Sequence, residues 1–111
     1  MKRILTSVVL LVLLFPTLGL GETMDDLVER EGVHYKKFSL VPFTGKIMGG
    51  TQGAFRNGKK HGPWVVFWSN GQLKFNHTYK DGKLGGPFVS FLSNGRILSK
   101  STYKNGKWIS D

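Results

Sequence analysis

The chain has 111 residues, with 16 lysines and arginines against seven aspartates and glutamates and a formal net charge of +9. It holds no cysteine, which excludes disulfide staples, a thiolate metal site and a thiol nucleophile. A chain of this length supports one small core, and its basic balance favours anionic partners.

Lys2 and Arg3 precede an apolar run from Ile4 to Phe15, interrupted only by Thr6 and Ser7, and then come Pro16, Gly19 and Gly21. A charged start, about a dozen apolar residues and a small-x-small exit describe a secretory signal peptide over residues 1–21. The run is shorter than the roughly 20 residues of a membrane-spanning helix, so an uncleaved anchor is the lesser expectation. Cleavage is expected after Gly21. Lipid attachment would need a cysteine at that point, so the expected product is free in a bacterial periplasm or outside the cell.

Residues 22–52 read as an acidic segment followed by degenerate capping hairpins. Glu22, Asp25, Asp26, Glu29 and Glu31 are offset only by Arg30, whereas Gly32 to Ser110 carries 13 basic residues and one acid, Asp81. The acidic stretch is therefore expected to fold back on the basic body. Thr23 ahead of Asp25, Asp26 and Leu27 offers a short helix start. Glu31-Gly32 reads as a turn before a strand from Val33 to Phe38. Pro42-Phe43-Thr44-Gly45 looks like a repeat entry, with Gly45 in the place of Gly62, and Gly49-Gly50 like a shortened turn.

Residues 53–111 repeat with a period of 24. Arg56-Asn57-Gly58-Lys59 returns as Lys80-Asp81-Gly82-Lys83 and as Lys104-Asn105-Gly106-Lys107, while Ser69-Asn70-Gly71 returns as Ser93-Asn94-Gly95. Asn-Gly and Asp-Gly between β-rich runs signal hairpins, because a type I′ turn needs positive φ at both central residues. Five such pairs, spaced 13, 11, 13 and 11 residues apart, predict an elongated, single-layer antiparallel meander of about eight short strands. Each unit of such an array buries its apolar face only against its neighbours. Gly62-Pro63 and Gly86-Pro87 are expected at strand entries. Period-2 alternation puts Trp64, Val66 and Trp68 on one face and Leu73, Phe75, His77 and Tyr79 on one face of the next strand. Residues 24 apart are expected to stack, Phe55 with Tyr79 and Tyr103, and Trp64 with Phe88. Trp108 and Ile109 are expected to close the stack.

No catalytic set emerges. His34, His61 and His77 lie in separate motifs, His61 reading as a solvated turn residue and His77 as packing. Paired carboxylates are lacking beyond Glu31, and no metal or cofactor is expected. The basic residues carry the stronger signal. Arg56, Lys59 and Lys60 flank one turn, Lys80 and Lys83 the next, Lys104 and Lys107 the third. Alternate turns of a meander share an edge, so these residues form a basic row with rungs roughly 10 Å apart. Such a row attracts anionic lipid, polymer or acidic protein, although lysine at turns also simply deters aggregation. Trp68, Phe75 and Tyr79 are the aromatic candidates for a binding face. Nucleic acid is disfavoured, since export removes the usual target.

The stretch GAFRNGKKHGPWVVFWSNGQLKFNHTYKDGKLGGPFVSFLSNGRILSKSTYKNGKW, from Gly53 to Trp108, resembles the MORN repeat. More closely it is similar to the bacterial variant of YwqK-like antitoxins, whose members share an Arg-x-Gly-x-x-Tyr stretch and Pro-Phe-Thr-Gly, matched here by Arg30 to Tyr35 and Pro42 to Gly45. The resemblance implies a non-enzymatic hairpin array that binds a protein, such as a toxin neutralised by an antitoxin or, for an exported chain, by an immunity protein. The alternative expectation is peripheral attachment to anionic membrane or cell-wall polymer through the basic edge.

Overall fold

The computed structural model describes residues 21–111, and the signal-peptide segment lies outside them apart from Gly21. Ten strands follow a single 3₁₀ turn at Met24–Asp26: β1 Leu27–Arg30, β2 Val33–Lys36, β3 Gly45–Ile47, β4 Thr51–Arg56, β5 Lys59–Phe67, β6 Leu73–Lys80, β7 Lys83–Leu84, β8 Gly86–Phe91, β9 Ile97–Lys104 and β10 Lys107–Ser110. The fold is the all-β antiparallel meander that the turn spacing implies. β3 to β10 form one sheet in sequence order, with the two-residue β7 paired to β6 beside β8. The body measures 63 × 34 × 21 Å, so it is long and thin.

At the N-terminal end β1 and β2 form a separate two-stranded sheet, a capping hairpin joined to the following segment by an isolated bridge from Tyr35 to Pro42. The turn anticipated at Glu31-Gly32 is present and is type I′, with φ of 52° and 81°. The short helix reduces to the 3₁₀ turn, held where the backbone N–H and the hydroxyl of Thr23 both donate to the Asp26 carboxylate, at 2.8 and 3.1 Å. Those two bonds favour the carboxylate, and the Asp26 pKa lies below its ordinary value.

The five Asn-Gly and Asp-Gly turns split into two kinds. Asn57, Asp81 and Asn105 have φ of 52°, 49° and 52° and precede glycines at 79°, 84° and 80°. These are two-residue type I′ turns, whose twist matches that of the strands. At Asn70-Gly71 and Asn94-Gly95 only the glycine has positive φ. There the N–H of Gly71 donates to the Trp68 carbonyl and that of Trp68 to the Gln72 carbonyl, at 2.9 and 2.7 Å. This is a three-residue loop, a type I turn closed by a left-handed glycine. The asparagine oxygen caps it by accepting from the N–H of Gln72 in one loop and of Arg96 in the other.

Gly62-Pro63 does not begin a strand; it lies inside β5. The register against β4 jumps from Ala54↔His61 to Gln52↔Val65 there, because Gly62 sits at φ 84° and Pro63 has no N–H to give the ladder. The bulge also moves His61 into the strand, half-buried opposite Ala54, so it is not the solvated turn residue anticipated.

The core lies at the N-terminal end of one sheet face. Leu27, Phe43, Ile47, Phe55 and Trp64 are buried, the last at 1 % exposure. From there rings touch strand by strand: Phe55 to Trp64 at 5.2 Å, Trp64 to Tyr79 at 5.9 Å, Tyr79 to His77 at 5.3 Å, His77 to Phe88 at 4.8 Å and Phe88 to Tyr103 at 5.9 Å. The ladder runs between adjacent strands, not between residues 24 apart as expected, because a whole strand lies between equivalent positions of successive repeats. Trp108 and Ile109 do not seal the stack. They lie on β10 and stay more than half exposed, at 57 % and 53 %.

Candidate functional site

The type I′ turns at Asn57-Gly58, Asp81-Gly82 and Asn105-Gly106 share an edge, and each is clipped to backbone earlier in the chain. The N–H of Gly58 donates to the Phe43 carbonyl, that of Gly82 to Lys60 and that of Gly106 to Leu84, at 2.7, 2.9 and 2.8 Å. Each acceptor stands two residues before a glycine of positive φ, namely Gly45, Gly62 and Gly86. Gly45 thus holds the place of Gly62, as its sequence context suggested. The clips set the lysines of one turn beside the next: modelling a Cβ onto Gly82 puts it 3.7 Å from Lys59, and one on Gly106 puts it 3.7 Å from Lys83.

The seven residues of the basic row do not behave alike. Lys59, Lys80, Lys83 and Lys104, from three successive turns, line one open groove of about 480 Å³ together with Asp81, Tyr103 and Gly85-Gly86. Arg56 is drawn into an ion pair with Asp81, Nη2 to Oδ1 at 3.1 Å. Both partners are more than half exposed, so the pair adds little stability. Its effect is to neutralise the one acid of the repeat body that lies on this edge. Lys60 folds inward, its ammonium 5.0 Å from the centroids of both Trp64 and Tyr79. Burial lowers its pKa, and the Glu29 carboxylate opposes that shift. Lys107 is exposed on β10. The structure thus gathers four of the seven candidates and withdraws two.

The acidic segment does fold back toward this edge. The N–H of His34 donates to the Gly58 carbonyl at 2.7 Å, and the ring of His34 lies 4.7 Å from that of Phe55. Glu29, 3.5 Å from His34 Nε2, shares a cleft of about 350 Å³ with Lys59, Lys60 and Tyr79. Glu22 is taken up by Lys36 at 2.8 Å, within the segment itself. Of the segment's acids, Glu29 is therefore the one that reaches the first turn, beside Lys60.

The aromatic candidates are half-buried. Phe75 lies 5.6 Å from Phe88, and Tyr79 lies between Trp64 and His77. Burial raises the Tyr79 pKa. Trp68 donates its indole N–H to the Phe91 carbonyl at 3.1 Å, with the Lys74 ammonium 4.6 Å from its ring. All three serve the ladder or the loop stack. On the other face a shallow apolar depression of about 460 Å³ opens between Met48, Ala54, Pro63 and Val65. Sequence reasoning missed it because Val65 and Ala54 carry no chemistry, and only the Gly62-Pro63 bulge brings Pro63 beside them. Among the described residues, no three histidine, aspartate or glutamate side chains gather as metal ligands would.

Two stretches, residues 60–81 and 84–105, match the family model of the MORN repeat variant. Over these two stretches the repeat is of the MORN type. Each match spans one turn-to-turn unit of the meander, from the strand leaving one type I′ turn to the residues that form the next. MORN repeats build repeat modules, often for binding membranes or proteins. Neither the comparison with curated proteins nor that with solved structures returned a match.

Proposed function

We propose that this MORN-type array is a non-enzymatic module that attaches peripherally to an anionic surface, membrane or cell-wall polymer, through its basic turn edge. The observation that carries the reading is the convergence of Lys59, Lys80, Lys83 and Lys104 on one open groove while Asp81 is neutralised by Arg56. A flat, elongated body with charge along one rim suits a surface better than a deep pocket would. A signal peptide, if cleaved, would deliver the module to the envelope, where such surfaces are found. Each lysine near an anionic membrane contributes about 1 kcal/mol. Exchanging Lys80, Lys83 and Lys104 for glutamine should therefore weaken binding on the order of 100-fold.

The test is co-sedimentation of the full chain with phosphatidylglycerol-containing vesicles, against phosphatidylcholine vesicles as the reference for insertion of the apolar N-terminus. The anionic increment should shrink steeply as salt shortens the Debye length and vanish in the triple variant. An increment that survives both changes overturns the reading.

A protein partner is the second reading, in the form of an antitoxin- or immunity-like role in the envelope. The apolar depression around Pro63 and Val65 favours it. Binding through that face would be insensitive to salt and lost in Val65→Asp, with the triple lysine variant unaffected.

A further inference from the structure

His77 is the one imidazole in the ring ladder from Phe55 to Tyr103, and neither proposed binding mode uses it. It is 6 % exposed. Its ring lies almost parallel to Phe88 at 4.8 Å and 21°, edge-on to Tyr79 at 5.3 Å and to Phe75 at 6.5 Å. Across the strand pair it faces Trp64. Its Nδ1 is buried and has no hydrogen-bond partner. The repeat does not demand a histidine here, since the positions 24 residues before and after are Gly53 and Ser101.

We propose that His77 makes the middle of the sheet acid-labile: proton uptake by its ring breaks the ladder between the Trp64 and Phe88 strands and loosens the turns that carry the basic groove. An imidazolium at this site would hold an N–H⁺ with no acceptor, in low-dielectric surroundings, which costs far more than a buried neutral ring. Nothing nearby offsets that cost. From β5 the facing charge is the Lys60 ammonium, which repels a second cation. On its own strand stands the neutral phenol of Tyr79. From β8 only Phe88 faces it, and Tyr103 of β9 lies beyond that ring. Glu29 of the N-terminal hairpin acts on Lys60, and His34 packs on Phe55, two rings away. Burial, with Lys60 second, accordingly lowers the His77 pKa.

The sign follows from linkage. A histidine whose folded pKa is depressed leaves stability untouched above the unfolded value near 6.5. Below it, the unfolded chain binds the proton first. The unfolding equilibrium then shifts toward unfolding by up to tenfold per pH unit until the folded value is reached. The inference rests on the ladder and does not depend on which partner the edge binds.

The experiment is urea unfolding of the full chain at pH 7.5 and pH 5, for the wild type, His77→Phe and His77→Gln. Phenylalanine keeps the stack and removes the titration. The wild type should lose several-fold to tenfold in its folding equilibrium at the lower pH, and His77→Phe should lose markedly less. If either variant fails to fold, NMR of the wild-type ring decides: His77 should gain its proton only as the native spectrum disappears. Equal wild-type stability at both pH values, an undiminished pH dependence in His77→Phe, or a His77 that titrates within an intact native spectrum would each overturn the proposal.

Discussion

The two ends of the sheet share a turn sequence but little else. Around β4 and β5 the inward face holds Phe55 and Trp64 at 2 % and 1 % exposure. Around β8 and β9 the matching face presents Ser90, Ser99 and Ser101 beside Phe88 and Tyr103, with Ser90 and Ser99 in hydroxyl contact at 2.5 Å, and Ile97 on that face is 53 % exposed. Yet the φ values at Asn57-Gly58 and Asn105-Gly106 agree within 1°. Register in this array is therefore a property of the turns, and burial a property of position along the array. The repeat keeps its geometry where it has lost its core, because each turn is clipped by backbone alone to backbone earlier in the chain.

Core substitutions should separate the two ends most strongly. Trp64→Ala removes the most deeply buried ring and the indole N–H bond to the Ala54 carbonyl, at an expected cost of about 3–5 kcal/mol. That is a large part of a small domain's stability, whereas Ile97→Ala on the open end should fall within about 0.5 kcal/mol. Equal costs in chemical denaturation would abolish the distinction.

Turn substitutions should do the opposite and cost the same in the middle of the sheet as at its open end. Gly82→Ala and Gly106→Ala each force a side chain into the left-handed region, at φ 84° and 80°. With no closer obstacle than a lysine side chain at 3.7 Å, each should cost about 1–2 kcal/mol. A twofold difference between them would mean that the clip, rather than the turn conformation, sets the cost.

The smallest effect belongs to the N-terminal cap. The Thr23 bonds lower the Asp26 pKa, so their contribution is present above the unfolded carboxylate value near 3.9 and fades as pH falls through the lower folded value. Exchange protection of the Thr23 amide should decline over that acidic interval and be absent in Asp26→Asn. Protection unchanged in either case would show that the 3₁₀ turn stands without its cap.

The meander and its paired edges are legible in the sequence, since Asn-Gly and Asp-Gly spacing alone fixes where the chain reverses. The two turn types are not, because Asn70 and Asn57 both precede glycine and differ only in how many residues the flanking strands leave unpaired. The basic row is legible as a row. Its partition is not: whether Arg56 reaches Asp81, or Lys60 turns onto Trp64 and Tyr79, depends on neighbours one repeat away. His61 was misplaced for a related reason, since the bulge at Gly62-Pro63 shifts register without leaving a mark on the alternation around it. The buried position of His77 follows simply from its alternation with Phe75 and Tyr79.

The clips from Gly58, Gly82 and Gly106 also impose a direction on assembly. Every acceptor carbonyl, on Phe43, Lys60 and Leu84, precedes its donor in the chain by 15 to 22 residues. A polypeptide emerging N-terminus first meets each new hairpin with its docking partner already laid down. Growth can then proceed rung upon rung from the one well-packed end, which needs only short-range closure at every step. The aromatic core at β4 and β5 is in that sense a starting template, and the thinning face beyond it is tolerable because later rungs inherit their order from earlier ones.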